Sequence, residues 1–249
     1  MTTAALIPAR HASTRFPGKP LALILGIPMI QHVFERASLI PGVSLVAVAT
    51  DSEEIADCVR SFGGRAVMTS DGHPSGSDRL AEAAGILGLK DSDIVINVQG
   101  DQPALDPAHA ALLAKALEEG GSRHEMSTLA VPFAEPGEEE DENHVKVAFA
   151  LDGSALYFSR SPIPFRRNPD SRCYKHVGLY AYRVGFLREY VGLPRGPLEK
   201  AESLEQLRVL ENGRSIKVIV ADGLSPEVDV PDDIAKAERA LSLGKKFYL

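Results

Sequence analysis

The 249-residue chain lacks the features that mark several large classes of proteins. Its two cysteines, Cys58 and Cys173, are too few for a disulfide scaffold, so free thiols in a reducing compartment are expected. No apolar run is long enough to cross a bilayer, and the first residues carry no basic, leader-like pattern. The net charge of −7 argues against general nucleic-acid binding. We therefore expect a cytoplasmic protein with no membrane insertion and no nucleic-acid partner.

The common nucleotide-binding motifs are missing as well. No Gly-x-Gly-x-x-Gly fingerprint occurs anywhere in the chain. Gly18 and Lys19 are followed by Pro20, and the first glycine of a Walker A motif is absent at the required offset. A phosphate-binding loop in this chain must therefore be of a different kind.

Acidic residues are absent from the first part of the chain, which is unusual in a protein with excess negative charge. The first acidic residue is Glu35, whereas Arg10, Arg15 and Lys19 follow an apolar run that ends at Ile7. Open α/β sheets bind ligands at the carboxyl ends of their strands, and a polyphosphate needs several cations at once. The segment predicts a site for a strongly anionic ligand; the alternative is a basic surface loop.

Short apolar runs alternate with helical patterns in the first half of the chain. Strands are predicted at 4–7, 45–49, 66–68 and 94–98, and helices at 29–39, 53–62 and 78–87. This alternation predicts an α/β fold with a mostly parallel, doubly wound sheet.

The second half of the chain has a different pattern. Strands are predicted at 126–131, 144–150, 155–159, 176–182 and 216–221, and helices at 198–210 and 234–243. The acidic loop 135–142 is expected to be solvated and disordered or variable. Residues 160–174 are rich in proline and arginine, with Ile163, Pro164 and Phe165 exposed or at an interface. One domain, residues 1–249, with a mixed extension of the sheet is the simplest interpretation.

Two aspartates are candidates for binding a divalent cation. Asp101 directly follows a predicted buried strand, with Gly100 allowing close backbone approach and Pro103 stiffening the exit. Asp229 ends a short extended segment. Carboxylates from distant segments that converge near a polyphosphate loop fit Mg²⁺. The alternative is a turn or helix-capping role for each residue.

The segment 73–79 is a candidate for binding a planar polar ligand such as a base. Ser75 and Gly76 suit hydroxyl and backbone contacts, and Arg79 on the next helix can reach back to the same ligand. An ordinary helix cap explains Ser77 and Asp78 but not Arg79.

The second half supplies candidates for a pocket that binds a polyhydroxylated acid. Arg160 closes a strand, His176 and Tyr180 lie four residues apart on another strand, and Glu205 and Gln206 are predicted within a helix. A guanidinium suits a carboxylate and the other groups suit hydroxyls. Each of these residues taken alone is compatible with a structural role.

Taken together, these motifs resemble those of a known family through nearly the whole chain. In order they are IPARHASTRFPGKPL, MTSDGHPSGSDRLAE, VINVQGDQP, ALYFSRSPIPF, YKHVGLYAYR, LEKAESLEQLRVLENG and EVDVPDDI. They are similar to motifs of the 3-deoxy-manno-octulosonate (KDO) cytidylyltransferases, or CMP-KDO synthetases. The resemblance implies a three-layer α/β/α fold of the glycosyltransferase-A-like nucleotidyltransferases. It also implies a homodimer, with residues 160–175 at the contact, and a Mg²⁺-dependent step in lipopolysaccharide core synthesis.

The resemblance also implies roles for individual residues. The catalytic residues are Lys19, Asp101 and Asp229, and the two aspartates hold Mg²⁺. The nucleotide CTP is bound by Arg10, Arg15, Lys19, Ser75, Gly76, Arg79 and Gln99. The acid sugar is bound by Arg160, His176, Tyr180, Glu205 and Gln206.

The reaction expected from this resemblance is CTP plus KDO giving CMP-KDO and diphosphate. His11, Ser77 and Lys175 stand where the family often has Tyr, Thr and Arg. The sugar is therefore left open between KDO, its 8-amino form and another acid sugar such as sialic acid. A protein that binds CTP without turnover is the alternative outside the enzymes.

Overall fold

The computed structural model describes residues 1–11, 16–121, 123–135, 137–168, 170–223 and 225–244. Its strands are β1 Thr3–Ala9, β2 Leu23–Ile24, β3 Ile27–Pro28, β4 Leu45–Thr50, β5 Ala66–Met68, β6 Ile94–Asn97, β7 Met126–Pro132, β8 Lys146–Phe149, β9 Ala155–Ser159, β10 Tyr174–Arg183 and β11 Ile216–Val220. Its α-helices are α1 Met29–Ser38, α2 Glu53–Ser61, α3 Gly76–Ile86, α4 Pro107–Glu119, α5 Val184–Tyr190, α6 Pro197–Glu202, α7 Leu207–Glu211 and α8 Ile234–Gly244. Helices α4 and α5 were not predicted from the sequence.

The main sheet has the strand order β11-β7-β10-β6-β1-β4-β5, with β8 attached to β10 and β9 to β8. Strands β6, β1, β4 and β5 pair in parallel, as do β7 and β11. Strand β10 runs antiparallel to β6 and β7 and joins these two parallel groups. The predicted α/β fold with a mostly parallel, mixed sheet is confirmed.

Apolar side chains cover both faces of the sheet. In β1, Ala5 and Ile7 belong to one buried cluster, whereas Ala4 and Leu6 belong to another. Successive residues of a strand point to opposite faces, so a strand buried on both faces reads as a continuous apolar run. Helices α1, α2, α4 and α8 contribute to the first cluster, and α3, α5 and α7 contribute to the second. The result is the expected three-layer arrangement.

The prediction of one helix over 198–210 is wrong. Helix α6 ends before Ser203, which adopts a left-handed conformation with φ of 52°. Helix α7 starts only at Leu207, so Glu205 and Gln206 lie in the connection between two short helices. The apolar spacing of Leu204 and Leu207 is compatible with either arrangement, which is why the break is invisible in the pattern.

The prediction of a fully solvated acidic loop is wrong at one position. Glu139 lies in a short 3₁₀ turn, is only 8% exposed, and accepts a hydrogen bond of 2.6 Å from Arg166. The guanidinium compensates the burial of this carboxylate. In the same region Phe165 is 89% exposed, as expected for an excursion from the sheet. That residues 1–249 form one domain and that the chain forms a homodimer stay predictions.

Both cysteines are free thiols, Cys173 buried and Cys58 partly buried. Among the helices of the described residues, none combines the length and apolar character needed to span a bilayer.

Candidate active site

A cleft lies where β1 and β6 end, beside the start of α3. Its volume is about 270 Å³. Residues from five separate stretches of the sequence line it together, among them most of the predicted catalytic and nucleotide-binding residues: Arg10, Lys19, Ser75, Gly76, Arg79, Gln99, Asp101 and Asp229. Parallel strands bring their carboxyl ends to one edge of the sheet, and this edge is where open α/β folds bind ligands. Arg15 lies outside the described residues.

Lys19 joins the two candidate metal-binding carboxylates. Its Nζ donates a hydrogen bond of 2.8 Å to Asp101 Oδ2 and lies 3.7 Å from Asp229 Oδ1. The same ammonium donates to the Val228 carbonyl at 3.0 Å. The Val228 amide in turn donates to the Asp101 carbonyl at 2.9 Å, which fixes the two acidic segments against each other. Both carboxylates therefore face one point at the floor of the cleft.

The local backbone explains how Lys19 reaches that point. Gly18 has φ of 69°, a left-handed conformation that favours glycine, and the 3₁₀ turn Lys19–Leu21 starts immediately after it. Pro20, the second residue of this turn, is buried, and its fixed φ suits the start of a helical turn. The sequence Gly-Lys-Pro therefore forms a tight turn that directs the lysine into the cleft.

The two aspartates fit a divalent cation by their chemistry. Mg²⁺ prefers carboxylate oxygens, and proteins often hold it through one or two carboxylates, with water and substrate phosphates completing the shell. Asp101 and Asp229 converge on one cation, the Lys19 ammonium, so their position suits a positive charge. Arg10 lies on the cleft wall with its side chain exposed and adds a further positive charge.

Ser75 is the N-cap of α3. Its hydroxyl accepts a hydrogen bond from the Asp78 amide at 3.3 Å and donates to Asp78 Oδ2 at 2.6 Å. The capping role considered for this segment therefore belongs to Ser75, although Ser75 and Gly76 also line the cleft.

Arg79 lies on the cleft wall but is held by protein groups. It is 4% exposed. Its guanidinium donates hydrogen bonds of 2.6 Å to both Asp51 Oδ2 and Thr69 Oγ1, and another to the Ser70 carbonyl at 3.2 Å. Arg79 was expected to reach back to a ligand. In the structure its guanidinium is instead bound by protein groups, and the residue forms part of the cleft wall.

A smaller side pocket of about 140 Å³ adjoins the cleft. It shares Gly76 and Gln99 with the cleft, and its other lining residues are Ser77, Asn97, Tyr180, Tyr182, Tyr190, Glu205 and Gln206. Gln99 donates from Nε2 to the Gly178 carbonyl at 3.2 Å, which links the boundary of the two cavities to β10. The structure therefore brings together three of the residues predicted for the acid sugar.

Burial changes the ionisation of the groups in the side pocket. Desolvation raises the pKa of Glu205, and the charge of Arg208 partly opposes that rise. Burial likewise raises the pKa of Tyr180 and of Tyr182 far above the usual tyrosine value, so both phenols stay protonated. The Ser75 Oγ also lies 3.3 Å from Glu205 Oε1. This contact connects the pocket to the start of α3.

His176 lies behind the side pocket rather than on its surface. Its Nε2 is 2.9 Å from the Thr128 hydroxyl, and its ring packs edge-on against Phe158 with centroids 4.9 Å apart. Burial lowers the pKa of His176 to about 3, which keeps the ring neutral. The Tyr180 ring lies 5.5 Å away. His176 thus supports Tyr180, and its position does not favour the predicted direct contact with a sugar.

Arg160 is also placed away from both cavities. Its Nε donates to the Glu202 carbonyl at 2.8 Å and one terminal nitrogen donates to the Glu142 carbonyl at 3.0 Å. The Arg160 amide donates to the Glu202 carboxylate at 2.8 Å. Strand β9 pairs with β8 rather than with the central strands, and Arg160 is not among the residues that line the cleft or the side pocket. The position of Arg160 in the single chain therefore does not support the predicted contact with the sugar carboxylate.

Sequence reasoning missed several lining residues. Asn97, Ser77, Tyr182 and Tyr190 line the side pocket, and His73 lines the cleft. Asn97 had a visible signal, because it is a polar residue inside the apolar run that forms β6. The tyrosines had none, since aromatic residues in strands and helices are more often part of the core.

The fold and the cleft define a nucleotidyltransferase architecture. The solved structure of CMP:2-keto-3-deoxy-manno-octonic acid synthetase complexed with CTP superposes with a TM-score of 0.92 at 41% identity, covering 98% of this chain and 100% of that one. A structure of 4-diphosphocytidyl-2C-methyl-D-erythritol synthase superposes with a TM-score of 0.65 at 18% identity and shows the shared fold alone.

The chain belongs to the cytidylyltransferase family, whose profile matches residues 4–216. Two similar relatives come from Shewanella frigidimarina and Shewanella pealeana; both are named 8-amino-3,8-dideoxy-manno-octulosonate cytidylyltransferase. Each is 50% identical over 244 residues, covering 98% of this chain and 100% of the relative. The resemblance to the KDO-type cytidylyltransferases is confirmed, and the chain is an enzyme of this kind.

Proposed function

We propose that this enzyme transfers CMP from CTP to 8-amino-3,8-dideoxy-manno-octulosonate and releases diphosphate. The observation that carries the choice of sugar is the 50% identity, over nearly the whole chain, to relatives named for that substrate. It favours the 8-amino alternative over KDO itself, which was the main expectation. The solved relative named for 2-keto-3-deoxy-manno-octonic acid is less similar, at 41% identity.

The cleft supports binding of the triphosphate. Lys19 and Arg10 place two positive charges on the same cavity, where they offset the charge that develops on the leaving diphosphate. Asp101 and Asp229 would hold Mg²⁺, which supplies neutralisation and orientation of phosphate oxygens when it is bound. Ser75 and Gly76, at the start of α3, face the same cavity and are proposed to contact the cytidine.

The side pocket supports binding of the sugar. In the proposed reaction the anomeric 2-hydroxyl attacks the α-phosphorus in line, so the sugar must reach the cleft with its reacting end. Tyr180, Glu205 and Gln206 line a cavity that opens beside that position. Catalysis then rests on holding the two substrates in register and on electrostatic stabilisation.

The assembly and the biological setting belong to the same proposal. The exposed Phe165, in the segment 160–175, is proposed to contact a second copy of the chain in a homodimer. The proposed product serves lipopolysaccharide core synthesis in the cytoplasm. Sedimentation of the purified protein tests the dimer, and a monomer at micromolar concentration would count against it.

The experiment that tests the reaction measures diphosphate release with CTP, Mg²⁺ and either sugar. We expect a higher kcat/KM for the 8-amino sugar than for KDO, and loss of turnover on chelation of Mg²⁺. Asp101→Asn removes one carboxylate charge, keeps the shape of the side chain, and is expected to abolish diphosphate release with either sugar. A higher kcat/KM for KDO, or CTP binding without diphosphate release with either sugar, would overturn the proposal.

A further inference from the structure

The two aspartates at the floor of the cleft lie in irregular connections, not in helices or strands. Asp101 belongs to the first connection, residues 98–106 between β6 and α4. Asp229 belongs to the second connection, residues 221–230 after β11, whose described residues form neither a helix nor a strand. Irregular backbone lacks the repeating hydrogen bonds that fix helices and strands. Contacts between the two connections must therefore fix the distance between the two carboxylates.

A series of hydrogen bonds joins the two connections along their length. The Asp106 amide donates to Ser225 Oγ at 3.0 Å. Nearer the cleft, the Val228 amide donates to the Asp101 carbonyl at 2.9 Å. Asp229 follows Val228 directly, so these bonds place its backbone beside that of Asp101.

Gln102 and Glu227 add a contact between side chains to this series. Gln102 Nε2 donates a hydrogen bond of 2.9 Å to Glu227 Oε1. Gln102 directly follows Asp101, and Glu227 lies two residues before Asp229. Neither Gln102 nor Glu227 is among the residues that line the cleft. The bond therefore acts on the aspartates through the backbone and not on a ligand.

The Gln102 side chain makes this bond at a cost to stability. An ionised carboxylate accepts hydrogen bonds and donates none, so the amide must present its nitrogen to Glu227. Gln102 is 2% exposed, and its Oε1 is buried without a partner among the described residues. A buried carbonyl oxygen without a donor is unfavourable. An apolar residue would fill the same space without that cost, so the bond to Glu227 is what accounts for a glutamine at this position.

We propose that Gln102 and Glu227 are positioning residues for the reaction, because their hydrogen bond holds Asp229 where its carboxylate and that of Asp101 reach one divalent cation. This inference rests on the proposed function, in which the two aspartates hold Mg²⁺. It adds to that function the pair of side chains that determines how tightly Mg²⁺ is held together with CTP. Side chains that orient metal-binding groups typically contribute about 10- to 100-fold to metal affinity or activity.

The test is isothermal titration of CTP in the absence of sugar, once with Mg²⁺ and once with a chelator. The dissociation constant in chelator divided by that in Mg²⁺ gives the gain in CTP affinity that the metal provides. In Glu227→Ala we expect this gain to fall by about tenfold or more, while CTP affinity in chelator stays unchanged. In turnover, the Mg²⁺ concentration for half-maximal rate should rise, and kcat should recover at high Mg²⁺.

An exchanged pair of residues separates the hydrogen bond from the loss of a side chain. Gln102→Glu alone sets two carboxylates against each other and is expected to lower the Mg²⁺-dependent gain at least as far as Glu227→Ala does. Adding Glu227→Gln restores an amide that donates to a carboxylate, with the original net charge. We expect this double variant to recover most of the wild-type gain. Glu227 is exposed, so Glu227→Ala keeps the test decisive if the variants of the buried Gln102 do not fold.

Asp222→Asn is the matched control, because it removes a carboxylate charge from the same second connection. Asp222 Oδ1 lies 3.0 Å from His109 Nε2, and the Asp222 side chain is 98% exposed. An exposed ion pair contributes little to stability, and this one lies at the end of the connection that is farther from Asp229 in sequence. We expect the control to keep the wild-type gain in CTP affinity.

The possible outcomes separate this inference from the function on which it rests. A wild-type gain in Glu227→Ala, or an equal loss of CTP affinity with and without Mg²⁺, would overturn the positioning role and leave the proposed reaction intact. Absence of recovery in the exchanged pair would also overturn it, because the charge of Glu227 and not its bond to Gln102 would then matter. Wild-type turnover that does not depend on Mg²⁺ would overturn the proposed metal site and this inference together.

Discussion

At the scale of single residues, Lys19 connects the two acidic segments at the floor of the cleft. Its ammonium contacts Asp101 and Asp229, which both lie far from it in the sequence. The two carboxylates would repel each other across the cleft floor without a cation between them. Lys19 therefore contributes both to the assembly of the site and to the proposed binding of phosphate.

Replacing Lys19 by methionine is expected to lower kcat/KM by about 10²- to 10³-fold, as for loss of a group that stabilises transition-state charge. The measurement is diphosphate release with both substrates varied in turn. Lys115→Met is the matched control, because Lys115 is an exposed lysine that pairs with Glu119 on the surface of α4. Near-normal turnover in Lys19→Met would remove Lys19 from the catalytic residues.

At the scale of elements, the break between α6 and α7 shapes the side pocket. Arg208 on α7 binds Glu199 on α6 through Nε and a terminal nitrogen, at 2.8 and 2.7 Å, and both side chains are buried. The ion pair holds the two short helices together, and the connection between them presents Glu205 and Gln206. A short helix gains little stability from its own hydrogen bonds, so this tertiary contact determines the geometry.

Replacing Arg208 by methionine is expected to lower the free energy of unfolding by about 3 kcal/mol, the lower end for a broken buried ion pair, because the buried Glu199 carboxylate keeps its contact of 2.9 Å with the more exposed Arg195. Urea unfolding at neutral pH measures the change. Arg188→Met is the control, since Arg188 pairs with Asp91 on the surface, and we expect a change of less than about 1 kcal/mol there. The double variant Glu199→Gln, Arg208→Met should recover part of the loss; no recovery would contradict a stabilising role of the pair.

At the scale of the whole molecule, stability depends on a sheet that is buried on both faces. The antiparallel strand β10 lies between β6 and β7 and joins the two parallel groups. His176 lies in this strand, and burial lowers its pKa to about 3. The groups that face it are the Thr128 hydroxyl and the rings of Phe158 and Tyr180, so no charged group in these contacts stabilises the imidazolium.

The depressed pKa of His176 predicts how stability changes with pH. In the unfolded chain histidine titrates near pH 6.5. The unfolded state therefore binds a proton below that pH while the folded state does not, and stability is lost as pH falls toward about 3. This residue alone should lower the free energy of unfolding by about 2 kcal/mol between pH 6.5 and 5.

The corresponding measurement is urea unfolding of the wild type and of His176→Gln at both pH values. The variant should lose less stability on acidification than the wild type, by about that amount. An identical loss in both proteins would show that folding does not lower the pKa of His176. Asn143→Gln, at an exposed position, is a control for substitution as such.

The spacing of apolar residues predicted much of the fold, because buried strands and amphipathic helices each produce a characteristic spacing among neighbouring residues. The apolar runs of β1, β4 and β6 and the turn at Gly18 are features of neighbouring residues. The connection at Ser203 was not predictable in this way, because the Arg208 side chain that stabilises it acts across the turn. The buried position of Glu139 likewise depends on Arg166, from a different segment.

The sequence by itself determined the layered α/β class, the acid-free cationic segment and the membership in the cytidylyltransferase family, since each of these is carried by residue order. Only the tertiary structure decided that Lys19 contacts both Asp101 and Asp229, that Arg160 and His176 do not line the side pocket, and that Asn97 does. The physical reason is that these positions depend on contacts between residues far apart in the chain. Periodicity and motif spacing identify the candidate residues for a site. Strand order and packing determine which of those residues contact one another.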